Sequence, residues 1–227
     1  MTSHDPRVFN AYSQARYQWI IWASADLMGK KVLDLGCGDG SLSFLIAEKG
    51  AEVSGVDNDE IGLEFARKNV PKADFVNASA YNLPFKDEFF DVVVSCEVIE
   101  HLEEPEKMLS EAMRVLKKGG MIVLTTPYKL SETPSDKNHV KEYYPSEIKE
   151  LLDRRCGQSE IKTTHHIFWR GVYSYSSRSL SNRAIGKWLI NCLVLWFGWN
   201  PFMIDYSRFP AKFDLFSNIL AWGIKQK

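Results

Sequence analysis

Residues Val32-Leu33-Asp34-Leu35-Gly36-Cys37-Gly38-Asp39-Gly40 join a short apolar run, an acid at its end and three alternating glycines. Such a run reads as a buried parallel strand that enters a tight turn and then a helix. Glycines in that turn let backbone N–H groups come close to a ligand, where a Cβ would collide. The next apolar run, Ala51 to Val56, leads into Asp57, about 20 residues past the first glycine, where an acid can accept from a pair of sugar hydroxyls.

Apolar runs alternate with helical patterns along most of the chain, which argues for βαβ units and a parallel sheet. Strands are expected at Lys31–Leu35, Glu52–Val56, Asp74–Asn77, Asp91–Ser95 and Met121–Thr125. Helices are expected at Ser41–Lys49, Glu60–Asn69, Pro105–Leu116 and Pro145–Arg154, with a leading helix from about Asn10 to Leu27 that caps the sheet. The Gly119-Gly120 pair is read as the end of the helix before the fifth strand. A further strand is expected over Glu160–Trp169, and the run Asn218–Lys225 reads as the last one.

The order Asp-x-Gly-x-Gly-x-Gly followed by Asp57 resembles the class I S-adenosylmethionine-dependent methyltransferases. Asn82-Leu83-Pro84-Phe85, Phe90-Asp91-Val92-Val93-Val94, Glu97-Val98-Ile99-Glu100-His101-Leu102 and Leu116-Lys117-Lys118-Gly119-Gly120 are similar to their type 11 subgroup. The resemblance covers residues 30 to 155. It implies a Rossmann-like α/β fold: a seven-stranded, mostly parallel sheet with helices on both faces and an antiparallel last strand between the fifth and sixth. Residues 1–227 then form one methyltransferase domain, and 171–217 an insertion or lid within it.

The resemblance also implies a cofactor site. The backbone at Gly36, Cys37 and Gly38 approaches the methionyl part of S-adenosylmethionine, and Asp34 orients its ammonium group. Asp57 takes the ribose hydroxyls, Asn58 lies against the adenine, and Cys96 lines the methionyl moiety through its carbonyl. Family members often carry an acid four residues before Leu-Pro-Phe; here Ser79 stands there, with Asn77 nearby and the Ala80 backbone beside the ring. The product is S-adenosylhomocysteine.

Glu97, Glu100 and His101 stand at i, i+3 and i+4, on one face if a helix starts there. With the later His139-Val140-Lys141-Glu142-Tyr143-Tyr144, they are similar to the acceptor motif of ubiquinone-pathway O-methyltransferases and small-RNA 2′-O-methyltransferases. The latter resemblance implies a divalent cation held by Glu97, Glu100, His101 and His139. Oxygen and imidazole ligands suit Mg²⁺, Mn²⁺ or Zn²⁺. The alternative is catalysis by His101 or His139 as general base without metal, an imidazole being well placed near neutral pH.

A net charge of −1 hides an asymmetry: residues 1–161 carry 19 Lys/Arg against 27 Asp/Glu, whereas 162–227 carry nine against two. The same closing stretch holds 14 of the 29 aromatic residues. Within it, Ala184 to Phe197 reads as an apolar helix, with Arg178 and Arg183 before it and Lys187 in its first turn. Such a segment fits an interfacial helix, a lid over a greasy acceptor or a dimer interface. Tyr173-Ser174-Tyr175-Ser176-Ser177-Arg178 are candidates to touch polar parts of the acceptor.

These features favour O-methylation of an apolar or lipid-linked small molecule. RNA 2′-O-methylation, sugar O-methylation and a non-catalytic S-adenosylmethionine-binding subunit are the rivals. Nucleic acid ranks low as a partner, because no RNA-binding module is evident. Four cysteines without CxxC spacing and an N-terminus without an apolar core point to a cytoplasmic protein, with peripheral membrane contact.

Overall fold

The computed structural model describes residues 10–134, 136–174, 185–205 and 216–226. Seven strands form one sheet in the order β3-β2-β1-β4-β5-β7-β6. They are β1 Lys31–Leu35, β2 Glu52–Asp57, β3 Asp74–Asn77, β4 Phe90–Cys96, β5 Leu116–Pro127, β6 Cys156–His166 and β7 Phe216–Lys225. Only β7 runs antiparallel to its neighbours, lying between β5 and β6. The central strands are buried almost throughout, which is why they read as continuous apolar runs.

Helices cover both faces. On one side, α4 Pro105–Val115 and α5 Pro145–Asp153 bury Met108, Leu109, Ile148 and Leu152 against Leu33, Val93, Ile122 and Ile219. On the other, α1 Ala11–Ala23 and α2 Ser41–Ala47 bury Trp19, Ile20, Leu42 and Ile46 against Val32, Val94, Val123 and Leu220. A further helix, α3 Glu60–Asn69, packs Leu63 and Ala66 on Phe75.

Several boundaries differ from the sequence reading, and three of them have a clear local cause. The leading helix stops at Ala23, not near Leu27: the Ser24 hydroxyl donates to the Ile20 carbonyl and Ala25 turns to φ 57°. α4 ends at Val115, before the glycine pair; Leu116 already pairs with Phe90, and Gly119-Gly120 fall within the irregular start of β5. The sixth strand ends at His166. His165 sits at φ 61°, and the His166 ring accepts from the Phe168 N–H, so Ile167–Trp169 open a helix, α6 Ile167–Ser174, instead of extending the strand.

The apolar helix of the insertion forms as α7 Ile185–Phe197. Ile190 packs with Ala11, Ala15 and Phe202, with Val194 and Leu195 alongside. Two buried asparagines in this greasy stretch have a structural task. Asn191 accepts from the Ala11 N–H, and Asn200 donates to the Ala11 carbonyl. Trp19 donates its indole N–H to the Phe202 carbonyl. The insertion is thus stitched to α1, while Trp188, Leu189, Trp196 and Phe197 face outward. Of the expected acceptor contacts, residues 175–178 lie outside the described residues, as do Arg178 and Arg183.

Candidate cofactor and acceptor sites

Parallel strands bring the expected cofactor residues to one edge of the sheet, at the carboxyl ends of β1, β2 and β3. Asp34, buried near the end of β1, accepts from the Ser43 hydroxyl at 2.6 Å through Oδ2. Its Oδ1 is buried without a partner, and burial pushes the carboxyl up to about 7. Gly36 takes φ 79°, and a Cβ there would stand 2.2 Å from a Val98 methyl. At Gly38, by contrast, a Cβ would meet nothing within 4 Å, so the turn leaves open space where a ligand can lie close to backbone.

The Gly38 N–H donates to Asp57 Oδ2 at 2.8 Å, and the Asp59 N–H donates to Oδ1 at 2.9 Å. Two backbone donors therefore orient the Asp57 carboxylate, and each oxygen keeps lone-pair capacity. Asn58 is exposed beside it. The loop carrying Ser79 and Ala80 is fixed to the same strand end by the Ala78 N–H on the Asp57 carbonyl. Ser79 turns its hydroxyl to the Tyr81 N–H, and Asn77 donates to Glu60. Cys37 packs its side chain into the cluster of Leu63, Ala66 and Phe75, leaving only its backbone for a ligand. Cys96 closes β4, where burial pushes its thiol up to about 12.

The four residues expected to share a metal are not all brought together. Glu97 adopts φ 58°, and only a single turn of 3-10 helix, Ile99–His101, follows. No α-helix starts here, and Glu97, although its charge is felt by Glu100, does not join the group that Glu100 forms with His101 and His139. Glu97 instead pairs with Arg16 of α1 and accepts from the Asn218 amide at 3.0 Å.

Glu100, His101 and His139 do meet: each offers one ligand atom, and these atoms lie within 4.8 Å of one another. Glu100 is fully buried; Oε2 accepts from the Thr126 hydroxyl at 3.0 Å and Oε1 has no partner. Burial, then the charge of Glu97, holds its carboxyl well above the ordinary carboxylate range. The Glu100 carbonyl accepts from the Val140 and Lys141 N–H groups, which brings the His139 segment alongside. The His101 and His139 rings stand 5.0 Å apart between centroids, edge to face.

Arg16, Thr126 and Asn218 join this end of the sheet without having been singled out in the sequence, whereas Glu142 belongs to the run His139–Tyr144 already noted there. Arg16 is a cation in a mixed helical pattern whose partner lies 81 residues away. Glu142 carried a signal, three residues after His139, and its carboxylate meets His139 Nδ1 at 3.0 Å.

Residues 33–124 match a family model described as a methyltransferase domain, of type 11. The region from the first strand to the fifth is a class I type 11 methyltransferase domain. The chain is 36% identical over 145 residues to a probable S-adenosylmethionine-dependent methyltransferase of Mycolicibacterium smegmatis, covering 62% of this chain and 56% of that protein. It is 37% identical over 117 residues to a ubiquinone biosynthesis O-methyltransferase of Thiobacillus denitrificans, covering 49% and 50%. The chain thus spans about half the length of these curated relatives. The fold is similar to that of Haemonchus contortus phosphoethanolamine N-methyltransferase 2 in complex with S-adenosyl-L-methionine, with TM-score 0.67 at 17% identity, covering 95% of this chain and 53% of that one.

The state of Asp34 gives this domain a pH signature. Its folded-state value, about 7, lies above the unfolded one, so folding favours the protonated acid. Stability is then lost as pH rises from about 4 to 7. Asp34→Asn, which keeps an oxygen for Ser43, is expected to gain up to about 4 kcal/mol relative to the parent across that window. Thermal melts of both proteins without cofactor check it; a gap that stays constant with pH contradicts it.

Proposed function

We propose that the protein transfers the methyl group of S-adenosylmethionine to an oxygen of an apolar or lipid-linked small molecule. The observation that carries the cofactor half is the buried, unpartnered Asp34 Oδ1 at the glycine turn. A buried carboxylate oxygen without a donor is costly, and an ammonium group supplies what it lacks. When bound, S-adenosylmethionine supplies an electrophilic methyl on a sulfonium. The protein's remaining tasks are to hold the partners in line and to take the acceptor's proton. Asp34 would orient the ammonium, Asp57 the ribose, and Asn58, Ser79 and Ala80 would border the adenine. Gly36, Gly38 and Cys96 would line the methionyl part through backbone.

At the acceptor end, His101 and His139 are the proton-handling groups, and both lie within reach of the buried Glu100. One carboxylate oxygen and two imidazole nitrogens also fit a divalent ion. Such an ion would lower the pKa of a bound hydroxyl. The likeness to a ubiquinone biosynthesis O-methyltransferase supports oxygen as the methylated atom.

The apolar acceptor is inferred from the insertion. Trp196 and Phe197 are 64% and 74% exposed, and Phe168, Trp188, Leu189 and Trp199 are exposed too. No described helix is long and apolar enough to cross a membrane. An outward aromatic helix beside a basic closing segment suits peripheral contact with an anionic bilayer. Vesicles rich in phosphatidylglycerol are expected to carry the protein in flotation, and a Trp196→Ser/Phe197→Ser variant is expected to bind at least 10-fold more weakly. Equal flotation of both rules out this surface.

Methyl-labelled S-adenosylmethionine incubated with host-cell extract, then split into lipid, RNA, protein and polar fractions, tests the reaction. Label is expected in the organic phase, with His101→Ala and His139→Ala lowering turnover at least 10-fold while S-adenosylhomocysteine binding persists. Label in RNA or sugars would move the acceptor to those classes. Binding without transfer to any fraction would make the chain a non-catalytic subunit.

A further inference from the structure

Glu142 is 3% exposed, and a carboxylate is taken out of water only with a definite partner. Its Oε1 meets His139 Nδ1 at 3.0 Å. His101 has a parallel arrangement, its Nδ1 standing 3.0 Å from the Asn138 carbonyl oxygen. A carbonyl only accepts, so the proton of neutral His101 resides on Nδ1; the Glu142 carboxylate selects the same tautomer for His139. In both rings the lone pair is left on Nε2. Two imidazoles with fixed tautomers thus stand beside Glu100, whose Oε1 is buried and unpartnered.

We infer that Glu142 is a positioning residue, holding His139 so that Nε2 joins Glu100 and His101 in a three-ligand divalent-cation site from which Glu97 is excluded. This deepens the cation reading above and rests on it. Ligating histidines commonly pass their second N–H to a carboxylate or a carbonyl, which fixes the ring and raises its basicity. Glu142 and Asn138 fill those two outer positions. Glu97 is committed elsewhere. Its carboxylate is shared between Arg16 and Asn218, and its N–H donates to the Thr125 carbonyl. Swinging it toward the histidines would leave the Arg16 guanidinium, itself mostly covered, without its carboxylate.

The test uses Mn²⁺ as probe, titrated into the whole chain by calorimetry and followed by electron paramagnetic resonance. S-adenosylhomocysteine affinity serves as the check that each variant is folded. Glu142→Ala is expected to weaken Mn²⁺ binding by about 10–100-fold. Glu142→Gln should recover part of that loss, since its amide oxygen still accepts from Nδ1. Glu97→Gln, which can still accept from the Asn218 amide but removes a charge that acts on Glu100, should change Mn²⁺ affinity by less than Glu142→Ala does. Equal affinity of Glu142→Ala and parent, or a loss in Glu97→Gln as large as in Glu142→Ala, overturns the assignment.

A parent protein that takes up no Mn²⁺ defeats the cation reading itself, and histidine ¹⁵N spectra of the neutral rings then decide the role of Glu142. His139 as the Nδ1–H tautomer in the parent, and not in Glu142→Ala, upholds Glu142 as its positioning residue. The Nε2–H tautomer in the parent removes that role.

Discussion

Parallel strands β1 and β4 lie side by side, and the chain leaves them in opposite directions across the sheet. That reversal of winding opens a crevice at their carboxyl ends which the flanking helices do not fill. Asp34 at the end of β1 and Ser95 near the end of β4 both hold buried side-chain oxygens there without partners. Folded proteins pair nearly all such groups, and each exception costs about 1–3 kcal/mol. At this edge a ligand can offset the cost. The same edge holds Glu100 Oε1, Asn218 Oδ1 and Arg16 Nε, likewise buried and unpartnered.

The acceptor end depends on one local conformation. Glu97 in the left-handed region bends the chain off β4, so that the 3-10 turn carries Glu100 inward under Thr126 and His101 outward toward Asn138. A non-glycine residue holds such a conformation only where surrounding contacts determine it. Arg16, Asn218 and the Thr125 carbonyl supply those contacts. They come from α1, β7 and β5, so three separate elements converge on one residue. The insertion reinforces the arrangement by binding Ala11 at the head of α1 through Asn191 and Asn200.

The sheet, and the meeting of the glycine turn with Asp57 at its carboxyl edge, were largely legible in the sequence because their signals are local. Continuous apolar runs mark β1, β4 and β5, and the spacing from Gly36 to Asp57 follows from one strand-helix-strand unit. The acceptor end was legible only in part. Glu100, His101 and His139 meet as the motif suggested, but the helical spacing that included Glu97 presumed a helix the chain does not form. Its true partners, Arg16 and Asn218, are 81 and 121 residues distant, beyond any pattern read in a window. Likewise, nothing periodic announces that His165 takes a positive φ just before β6 ends at His166 and that the following apolar residues coil into α6. Asn191, a polar residue within the apolar α7, seats that helix on α1 together with Asn200.

Binding of S-adenosylhomocysteine to the purified chain, with Asp57→Ala as comparison, tests most directly whether this edge is a cofactor site. One site per chain, at least 10-fold weaker once the carboxylate oriented by Gly38 and Asp59 is removed, is the predicted outcome. Absence of binding to the parent chain, or equal affinity in the variant, would contradict the assignment of this edge.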